Sequence, residues 1–260
     1  MDGPNPITVG LSVLRARRVE KPTWQSTTEE PDASRLADVL EVVRTRGVQS
    51  LVGLLDELDE YVAGQSTVDP TGLSRDAALA FWLNLYNAGA LTLAGEAVAT
   101  GEGSVLRLPG AFTRAFTMVA GESLSLNDIE HGKIRRFGDP RIHSALVCGS
   151  ASCPTLRYEP YAGARLDEQL DDQTRSFLEA GGAVIEQNTL QLSRVFLWYG
   201  ADFVRPRRMP TFIPAGRRQV VEALIPWLPD GHTRWLRSAR RGIAFQSYDW
   251  SLACSVRKPG

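Results

Sequence analysis

The sequence predicts an α+β protein in which a helix-rich N-terminal half packs on a small, mainly antiparallel sheet. Apolar residues recur at helical spacing from Ser34 to about residue 100, which predicts several helices before any strand. The strand candidates are short apolar runs bounded by turn residues, and they all lie after Gly138. Helices that precede a few strands are typical of α+β domains, whereas alternating helices and strands would indicate a parallel sheet.

Composition excludes several classes of protein. The 260 residues suit one large domain or two small ones, and a hydrophobic share of 43% is enough for a continuous core. The 29 basic and 30 acidic side chains give a net charge of −1, so we expect no nucleic-acid partner. Uninterrupted apolar runs are short and no secretory signal is visible, so we expect no membrane partner. Three cysteines cannot all pair, which favours reduced thiols in a cytoplasmic protein.

The chain divides into an irregular N-terminal lead-in over residues 1–33 and a single globular domain over residues 34–260. Four prolines with polar spacers mark the lead-in. The domain begins with leucines and valines at helical spacing, which predict a helical hairpin that ends at the turn-rich residues 69–72.

A long buried helix is predicted next. Ser74 is a good N-cap for it, and from residue 75 to about residue 100 aromatic and aliphatic side chains lie nearly all round the helix. Two amides, Asn84 and Asn87, are three residues apart and share nearly one face. Because buried amides need hydrogen-bond partners, we expect these two to tie neighbouring loops or strands to the helix.

The second half of the domain begins at a capping-box pattern. Asn127 would cap a short helix, with Glu130 at its third position and its end near Phe137. Residues 142–148 form a compact apolar run that predicts a buried strand. The remaining predicted elements are an amphipathic helix over 166–178, a hairpin of strands 183–185 and 190–192, a helix over 219–228 and a strand over 242–245.

The most unusual stretch ends at Pro154, where two of the three cysteines and one of the three histidines fall within eleven residues. The predicted strand would deliver the chain to a tight turn of small residues, with Cys148 before it and Cys153 after it. Pro154 is consistent with a helix start, where peptide dipoles would lower the pKa of Cys153. An imidazole from His143 or His131 would complete a thiolate–imidazolium pair.

Three interpretations of this stretch compete. In the first, Cys153 is a catalytic nucleophile. In the second, Cys148, Cys153, His143 and His131 bind zinc, although the C-x4-C spacing is looser than that of the usual zinc pair. In the third, the thiols are buried and inert, which suits Cys148 at the end of a strand and fits Cys153 as well as the first interpretation does.

Around these residues the chain resembles the domain of unknown function 547 family. The resemblance covers about residues 70–252, keeps the order of the family's blocks, and implies a single α+β domain with a remote likeness to papain-type or transglutaminase-like thiol folds. One departure is Ala253, where the family's closing segment commonly has Asn. The blocks are FWLNLYNA (81–88), DIEHG (128–132) with Arg135, DPRIH (139–143), CG (148–149), SCP (152–154), LWY (197–199), DF (202–203) and YDWSL (248–252). Position by position they single out Cys153, His143, His131, Glu130, Asn84 and Asn87.

The leading hypothesis is a cysteine-dependent acyl-transfer enzyme with a papain-like mechanism. It would hydrolyse or transfer an amide or thioester without a cofactor. Cys153 would be the nucleophile, with His143 as the general base and acid and His131 as the alternate. Glu130 or Asn87 would orient the imidazole, and backbone N–H groups of the turn would stabilise the oxyanion. We expect a small-molecule or peptide substrate in contact with Asn84, Asn87, Ser152, Trp82 and Tyr86.

A second hypothesis belongs to another class of protein. The same cleft would belong to a non-catalytic module that binds a peptide or a small molecule, and its cysteines and histidines would be structural. The pKa of the thiol separates the two hypotheses, because a binding module should have an ordinary cysteine pKa near about 8.5.

Overall fold

The computed structural model describes residues 24–257, apart from positions 26, 28, 212, 239 and 240. Most of the lead-in predicted over residues 1–33 therefore lies outside the described residues. The part of it that is described belongs to no helix or strand. The helix that follows begins at Ser34, where the periodicity predicts it.

The described elements confirm the α+β class. The helices are α1 (Ser34–Arg46), α2 (Leu55–Gln65), α3 (Arg75–Ala99), α4 (Ile142–Ala145), α5 (Leu166–Phe177), α6 (Val195–Val204), α7 (Arg217–Leu224) and α8 (Asp230–Ser238). The strands are β1 (Ala115–Val119), β2 (Glu122–Ser125), β3 (Leu156–Arg157), β4 (Ala183–Glu186), β5 (Thr189–Leu192), β6 (Gly242–Phe245) and β7 (Val256–Arg257). Short irregular helical turns connect several of them.

The described strands form three small sheets, where one mainly antiparallel sheet was predicted. β1 and β2 are an antiparallel hairpin, whereas β3 pairs with β7 in parallel. In the third sheet β4 and β5 form the predicted antiparallel hairpin, and β6 joins β5 in parallel. Parallel and antiparallel pairs are thus equally represented, because β6 and β7 arrive from the far end of the chain and can approach in either direction.

Helix α3 is the centre of the N-terminal half. The Ser74 hydroxyl accepts a hydrogen bond from the Ala77 N–H at 3.2 Å, so the predicted N-cap is confirmed. By length and composition alone α3 could cross a bilayer, although no single apolar run in it is long. Its apolar window is 94% buried by the rest of the protein, as is typical of the core helix of a globular domain.

Two hydrophobic clusters make up the interior of the described residues. The larger one surrounds α3 and includes buried side chains of α1, α2, α5 and the segment that follows α4. The smaller one is formed by the end of α5, by β4 and β5, and by α6 and α7. Along the chain, the buried residues of the larger cluster precede those of the smaller one, and the change from one cluster to the other falls within α5.

The strand predicted over residues 142–148 is wrong. Residues 142–145 form the short helix α4, and the chain then continues extended without a strand partner. The reason is the Asn87 amide, which donates to the Ala145 carbonyl at 3.0 Å and accepts from the Val147 N–H at 3.2 Å. A side chain thus satisfies the backbone groups that a neighbouring strand would otherwise bind.

The helix start predicted at Pro154 is also wrong. Cys153 and Pro154 lie in irregular chain, and the next element is the short strand β3. The expected lowering of the Cys153 pKa by helix dipoles therefore has no structural basis.

The predicted capping box is displaced by two residues. Ser125 and Asp128 form it, because the Ser125 hydroxyl accepts from the Asp128 N–H at 3.2 Å and the Asp128 carboxylate accepts from the Ser125 N–H at 3.1 Å. Asn127 makes no side-chain cap. Glu130 is therefore not a capping residue, and its side chain is buried.

Candidate functional site

A pocket opens where the two hydrophobic clusters approach each other. The α3 helix, the turn at 128–133, the segment 142–154, helix α6 and the chain end near residue 250 all contribute to its walls. Most of its lining is aromatic or aliphatic, with two thiols, two imidazoles and one carboxylate among them. The lining residues are Tyr86, Leu106, Phe112, Asn127, Glu130, His131, His143, Leu146, Val147, Cys148, Cys153, Pro154, Val195, Trp198, Tyr199, Tyr248 and Trp250.

The two thiols of the pocket contact each other. The Sγ atoms of Cys148 and Cys153 are 3.0 Å apart, and the Cys148 N–H donates to the Cys153 sulfur at 2.9 Å. The Cys148 sulfur also lies 3.0 Å from the Ser150 hydroxyl and 3.2 Å from the Tyr248 hydroxyl. Ser150 in turn donates to Tyr248 at 2.9 Å, which leaves the Tyr248 proton free to point at the sulfur.

A tight loop brings the thiols together. Gly149 has a φ of +70°, in the left-handed region that favours glycine, and turns the chain directly after Cys148. The Cys153 N–H then donates to the Ser150 carbonyl at 3.1 Å, which closes the loop. The C-terminal segment holds the loop from outside through an antiparallel bridge between Ser150 and Leu252.

The two thiols have opposite pKa shifts. Hydrogen bonding to Cys153 lowers the pKa of Cys148 to about 7, and the Ser150 and Tyr248 hydroxyls lower it further against the effect of burial. Burial raises the pKa of Cys153 well above its usual value, and the adjacent Cys148 raises it further. We assign the negative charge to Cys148, because the Cys153 thiol and the Tyr248 hydroxyl can both donate to its sulfur, whereas the Cys153 sulfur accepts from the Cys148 N–H. The sequence predicted the opposite assignment.

An imidazole–carboxylate pair lies in the same pocket. His143 Nε2 is 2.9 Å from the Asp202 carboxylate, and both side chains are almost completely buried. The His143 ring stacks on Tyr199, with ring centroids 4.0 Å apart. Because Nε2 faces Asp202, Nδ1 is the ring nitrogen without a hydrogen-bond partner among the described residues.

Asp202 is held by more than the imidazole. Its carboxylate accepts from Arg135 at 2.9 Å and 2.7 Å and from the Thr211 N–H at 3.2 Å. Burial alone would raise the pKa of Asp202, but His143 and Arg135 lower it below its usual value. The carboxylate is therefore ionised, and the Arg135 guanidinium balances its charge.

Glu130 and His131 complete the polar wall. The Glu130 carboxylate is 3.4 Å from the Tyr86 hydroxyl and 3.5 Å from His131 Nδ1, which also lies 3.4 Å from Arg135. Burial would raise the pKa of Glu130, but the two histidines and Arg135 lower it. Burial lowers the pKa of His131, with a further contribution from Arg135, so this imidazole is neutral at neutral pH.

Three aromatic rings stand at the mouth of the pocket. Trp198 and Tyr248 have ring centroids 4.8 Å apart, Tyr248 and Trp250 4.4 Å, and Trp198 and Trp250 5.7 Å. Trp198 is 36% exposed, which is unusual for so large an apolar side chain. The entrance is thus an aromatic surface that is partly open to solvent.

The structure brings together most of the predicted catalytic residues but not all of the predicted substrate contacts. Cys153, His143, His131, Glu130 and Tyr86 line the pocket. Within the described residues, however, no hydrogen bond joins either thiol to either imidazole, so the predicted thiolate–imidazolium pair is absent there.

The other predicted substrate contacts lie outside the pocket lining. Asn84 donates to the Tyr161 carbonyl and accepts from the Tyr161 N–H, both at 2.8 Å. Asn87 binds the segment after α4 in the same manner, so the prediction that these amides tie loops to the helix is confirmed. Trp82 packs against Phe81 and under Lys133. Ser152 accepts from the Asp249 N–H at 2.9 Å and so anchors the C-terminal segment.

Sequence reasoning assigned no role to four residues of the site: Asp202, Arg135, Tyr199 and Tyr248. All four stand in the blocks on which the family resemblance depends, which was the available signal. Their partners are far away along the chain, however, and spacing arguments connect only near neighbours. The contact between Cys148 and Tyr248, for example, joins residues 100 positions apart.

No arrangement of side chains among the described residues matches the zinc site that the second interpretation requires. Among the residues that the structure describes, no group of three or more His, Cys, Asp or Glu side chains is placed to hold a metal ion. The groups that would have to bind zinc are instead used in protein contacts, because His143 binds Asp202 and the two sulfurs contact each other.

Comparisons with known proteins identify one domain. Comparison with curated proteins gives no match, and neither does comparison with solved structures. Residues 70–178 match the family described as "Protein of unknown function, DUF547". That range contains α3, the two histidines, Glu130 and both thiols of the pocket, while Asp202 and Tyr248 lie beyond it. Residues 70–178 are therefore similar to the DUF547 family, as their sequence blocks predict, whereas the blocks predicted after residue 178 lie beyond the matched residues.

Proposed function

We propose that this protein is a cysteine-dependent acyl-transfer enzyme that hydrolyses or transfers an amide or thioester, with Cys148 as its nucleophile. The observation that carries the proposal is the state of this thiol. It faces the pocket and has a pKa lowered to about 7, first by its hydrogen bond with Cys153. A thiol with a pKa near the ambient pH combines a large thiolate fraction with high intrinsic nucleophilicity.

The reaction needs two chemical steps. The Cys148 thiolate attacks the carbonyl carbon, a carbon–sulfur bond forms, and the carbonyl electron pair moves to oxygen. Collapse of this intermediate expels the amine or thiol and leaves the acyl group on Cys148. Water or another acceptor then attacks the acyl-enzyme, loses a proton and releases the thiolate again.

His143 is the proposed proton carrier of these steps. Because Asp202 holds Nε2, the ring has a fixed orientation and Nδ1 is available to a leaving group or to the attacking water. The surrounding cluster holds two ionised carboxylates, Glu130 and Asp202, and one guanidinium, Arg135. The cluster around the proposed proton carrier therefore has a net negative charge.

The oxyanion needs donors other than those the sequence predicted. The N–H groups of Ala151, Ser152 and Cys153 donate to the carbonyls of residues 251, 249 and 150, so none of the three is free. The Tyr248 hydroxyl is adjacent to the Cys148 sulfur, at 3.2 Å, and we propose it as a donor to the oxyanion.

The walls of the pocket favour an apolar acyl group. Leu106, Phe112, Leu146 and Val195 supply aliphatic and aromatic surface near the thiol. Arg135 is paired with Asp202, so the unbalanced charge beside the pocket is the negative charge of Glu130, which disfavours an anionic substrate. Aromatic rings at the entrance would bury an aromatic or branched acyl chain at a gain of about 25 cal/mol for each Å² of apolar surface.

Acylation with defined thioesters tests the proposal. The probes are acetyl, hexanoyl and benzoyl thioesters of N-acetylcysteamine, and the measurement is the mass of the tryptic peptide 142–157, which contains Cys148 and Cys153. We expect an acyl adduct on this peptide, strongest with benzoyl or hexanoyl, in the wild type and in Cys153→Ala. We expect none in Cys148→Ala. Cys254→Ala is the matched control and should be acylated like the wild type.

Two outcomes would contradict the assignment. An adduct that persists in Cys148→Ala but disappears in Cys153→Ala would restore Cys153 as the nucleophile. Absence of any adduct, together with a Cys148 alkylation midpoint near the ordinary thiol pKa of about 8.5, would favour the non-catalytic binding module.

A further inference from the structure

We propose that Cys148 and Cys153 are a reversible redox pair, in which a peroxide oxidises Cys148 and Cys153 resolves the product to an intramolecular disulfide. The proposal does not depend on acyl transfer, because it requires only two thiols that meet at an accessible pocket. It makes Cys148 a modification site and the reduced pair the chemically active state of the protein.

Geometry is the first support. The sulfurs are 3.0 Å apart, and a disulfide bond of about 2.05 Å therefore requires a relative movement of only about 1 Å. The left-handed backbone conformation of Gly149 and the hydrogen bond from the Cys153 N–H to the Ser150 carbonyl hold the two thiols in one short loop.

Access is the second support. Both cysteines line the pocket whose entrance is formed by Trp198, Tyr248 and Trp250. Each of the two cysteines is partly exposed to solvent. Cys153 also lines a second cavity, with Ser152, Phe177, Gly182 and Cys254 among its walls. A small oxidant can therefore reach the pair without any rearrangement of the fold.

The two thiols have different and complementary chemistry. Cys148 is surrounded by hydroxyl and thiol donors that stabilise a thiolate, whereas Cys153 has one backbone donor and keeps its proton. Cys148 therefore has the properties of the cysteine that attacks the oxidant, and Cys153 those of the cysteine that resolves the product.

The electron balance is complete with a peroxide as oxidant. The Cys148 thiolate attacks one peroxide oxygen, the O–O bond breaks, and the departing oxygen leaves as water or an alcohol after it takes a proton. The Cys153 sulfur then attacks the sulfenic sulfur of Cys148, the S–O bond breaks, and water leaves with the Cys153 proton. A dithiol reductant reverses the change by thiol–disulfide exchange.

Cys254 serves as an internal control. Burial raises its pKa to about 12, and within the described residues it makes no hydrogen bond to either sulfur of the pair. Trypsin separates it from the pair, because Cys148 and Cys153 share peptide 142–157 whereas Cys254 lies in peptide 242–257. A loss of its alkylation therefore reports general oxidation rather than the proposed reaction.

The experiment treats the full-length protein with hydrogen peroxide, removes the peroxide, unfolds the protein in urea so that every free thiol is accessible, blocks the free thiols with iodoacetamide, and digests the protein with trypsin. We expect peptide 142–157 to lose two hydrogen atoms and to carry no alkyl group, and peptide 242–257 to carry one. Dithiothreitol before alkylation should restore two alkyl groups on peptide 142–157. In Cys153→Ser, Cys148 should instead proceed to sulfinic acid, which dithiothreitol does not reverse.

Three results would overturn the proposal. One is a peptide 142–157 that remains doubly alkylated after peroxide. Another is a disulfide that includes Cys254. The third is irreversible oxidation of Cys148 in the wild type at the same rate as in Cys153→Ser. Acylation of Cys148 in the reduced protein is a separate readout, so failure of the redox pair and failure of acyl transfer can be distinguished.

Discussion

At the scale of single residues, the site depends on which groups surround a given atom. Cys148 and Cys153 are the same amino acid in the same loop, yet one is activated and the other is not. Hydrogen-bond donors at the Cys148 sulfur favour its charged form, whereas burial without comparable donors disfavours the charged form of Cys153. The same balance keeps Glu130 and Asp202 ionised in a buried cluster.

Removal of one donor should reduce the activation of Cys148. In Tyr248→Phe the sulfur loses a hydroxyl at 3.2 Å, so its pKa should rise. The rate of iodoacetamide labelling in the wild type should increase with pH through about 7, where Cys148 loses its proton. In Tyr248→Phe the midpoint should move to higher pH by about one unit, toward the ordinary thiol value of about 8.5.

Tyr161→Phe is the matched control for this change. The Tyr161 hydroxyl is buried, has no hydrogen-bond partner and lies outside the pocket lining. Its removal should leave the labelling midpoint where it is. An unchanged midpoint in Tyr248→Phe would show that this hydroxyl does not stabilise the thiolate.

Loss of the Asp202 charge should be costly. Asp202→Asn leaves the buried Arg135 guanidinium without its counter-ion and His143 without its acceptor. Breaking a buried ion pair in this way costs about 3–5 kcal/mol of the free energy of unfolding. Urea unfolding measures it, and Asp167→Asn is the control, because its side chain is 89% exposed and its loss should cost less than about 1 kcal/mol. Equal losses in the two variants would contradict the importance of burial.

At the scale of secondary-structure elements, α3 positions the segment that leads to the two thiols. It presents two amides to backbone that lies far away along the chain, and each amide makes two hydrogen bonds. Asn84 holds the loop at Tyr161, whereas Asn87 holds the extended segment that leads to Cys148. The helix thus acts as a rigid support, and the thiol is fixed relative to it by a single side chain.

The two amides provide a paired test of this role. Asn84→Ala and Asn87→Ala each leave a buried N–H and a buried carbonyl without a partner, at about 1–3 kcal/mol for each group. Both variants should therefore lose similar stability in urea unfolding. Only Asn87→Ala should also shift the pH midpoint of Cys148 labelling, because only this amide holds the segment before the thiol. A similar shift in Asn84→Ala would mean that the midpoint reports general loosening of the fold.

At the scale of the whole molecule, the pocket lies between two hydrophobic clusters. Thiols and Glu130 approach it from the N-terminal side of the chain, and Asp202, Tyr199 and Tyr248 approach it from the C-terminal side. A buried network of carboxylates, imidazoles and one guanidinium connects the two sides. Ionisation of this network is therefore coupled to the stability of the fold.

Acid should destabilise the protein through this network. The pKa values of Glu130 and Asp202 are lowered in the folded protein, so the unfolded chain binds protons at higher pH than the folded chain does. Their stabilisation is complete above the unfolded carboxyl values of about 4 and is lost as the pH falls below them toward the folded values. Urea unfolding as a function of pH should show this decline. A decline of the same steepness in Asp202→Asn would indicate that other carboxylates are responsible.

The sequence by itself determined the local features of this protein. Apolar periodicity and the Ser74 cap define α3, the pattern at residues 166–178 defines α5, and the turn at residues 186–189 defines the β4–β5 hairpin. Family blocks located the segments of the site, and the need of buried amides for partners indicated what Asn84 and Asn87 do. All of these depend on residues close to one another in the chain, whose geometry the backbone alone dictates.

Only the tertiary structure decided which atoms meet. In the structure the thiol with the lowered pKa is Cys148, whereas the sequence predicted Cys153. His131 is buried, and the partner of His143 is Asp202. The contact of His143 with Asp202 joins residues that are 59 positions apart, and the contact of Cys148 with Tyr248 joins residues that are 100 positions apart. The pKa of a buried group is set by the donors, charges and solvent that folding brings around it, so even the near neighbours Ser150 and Cys153 act on Cys148 only because the fold closes their loop onto its sulfur.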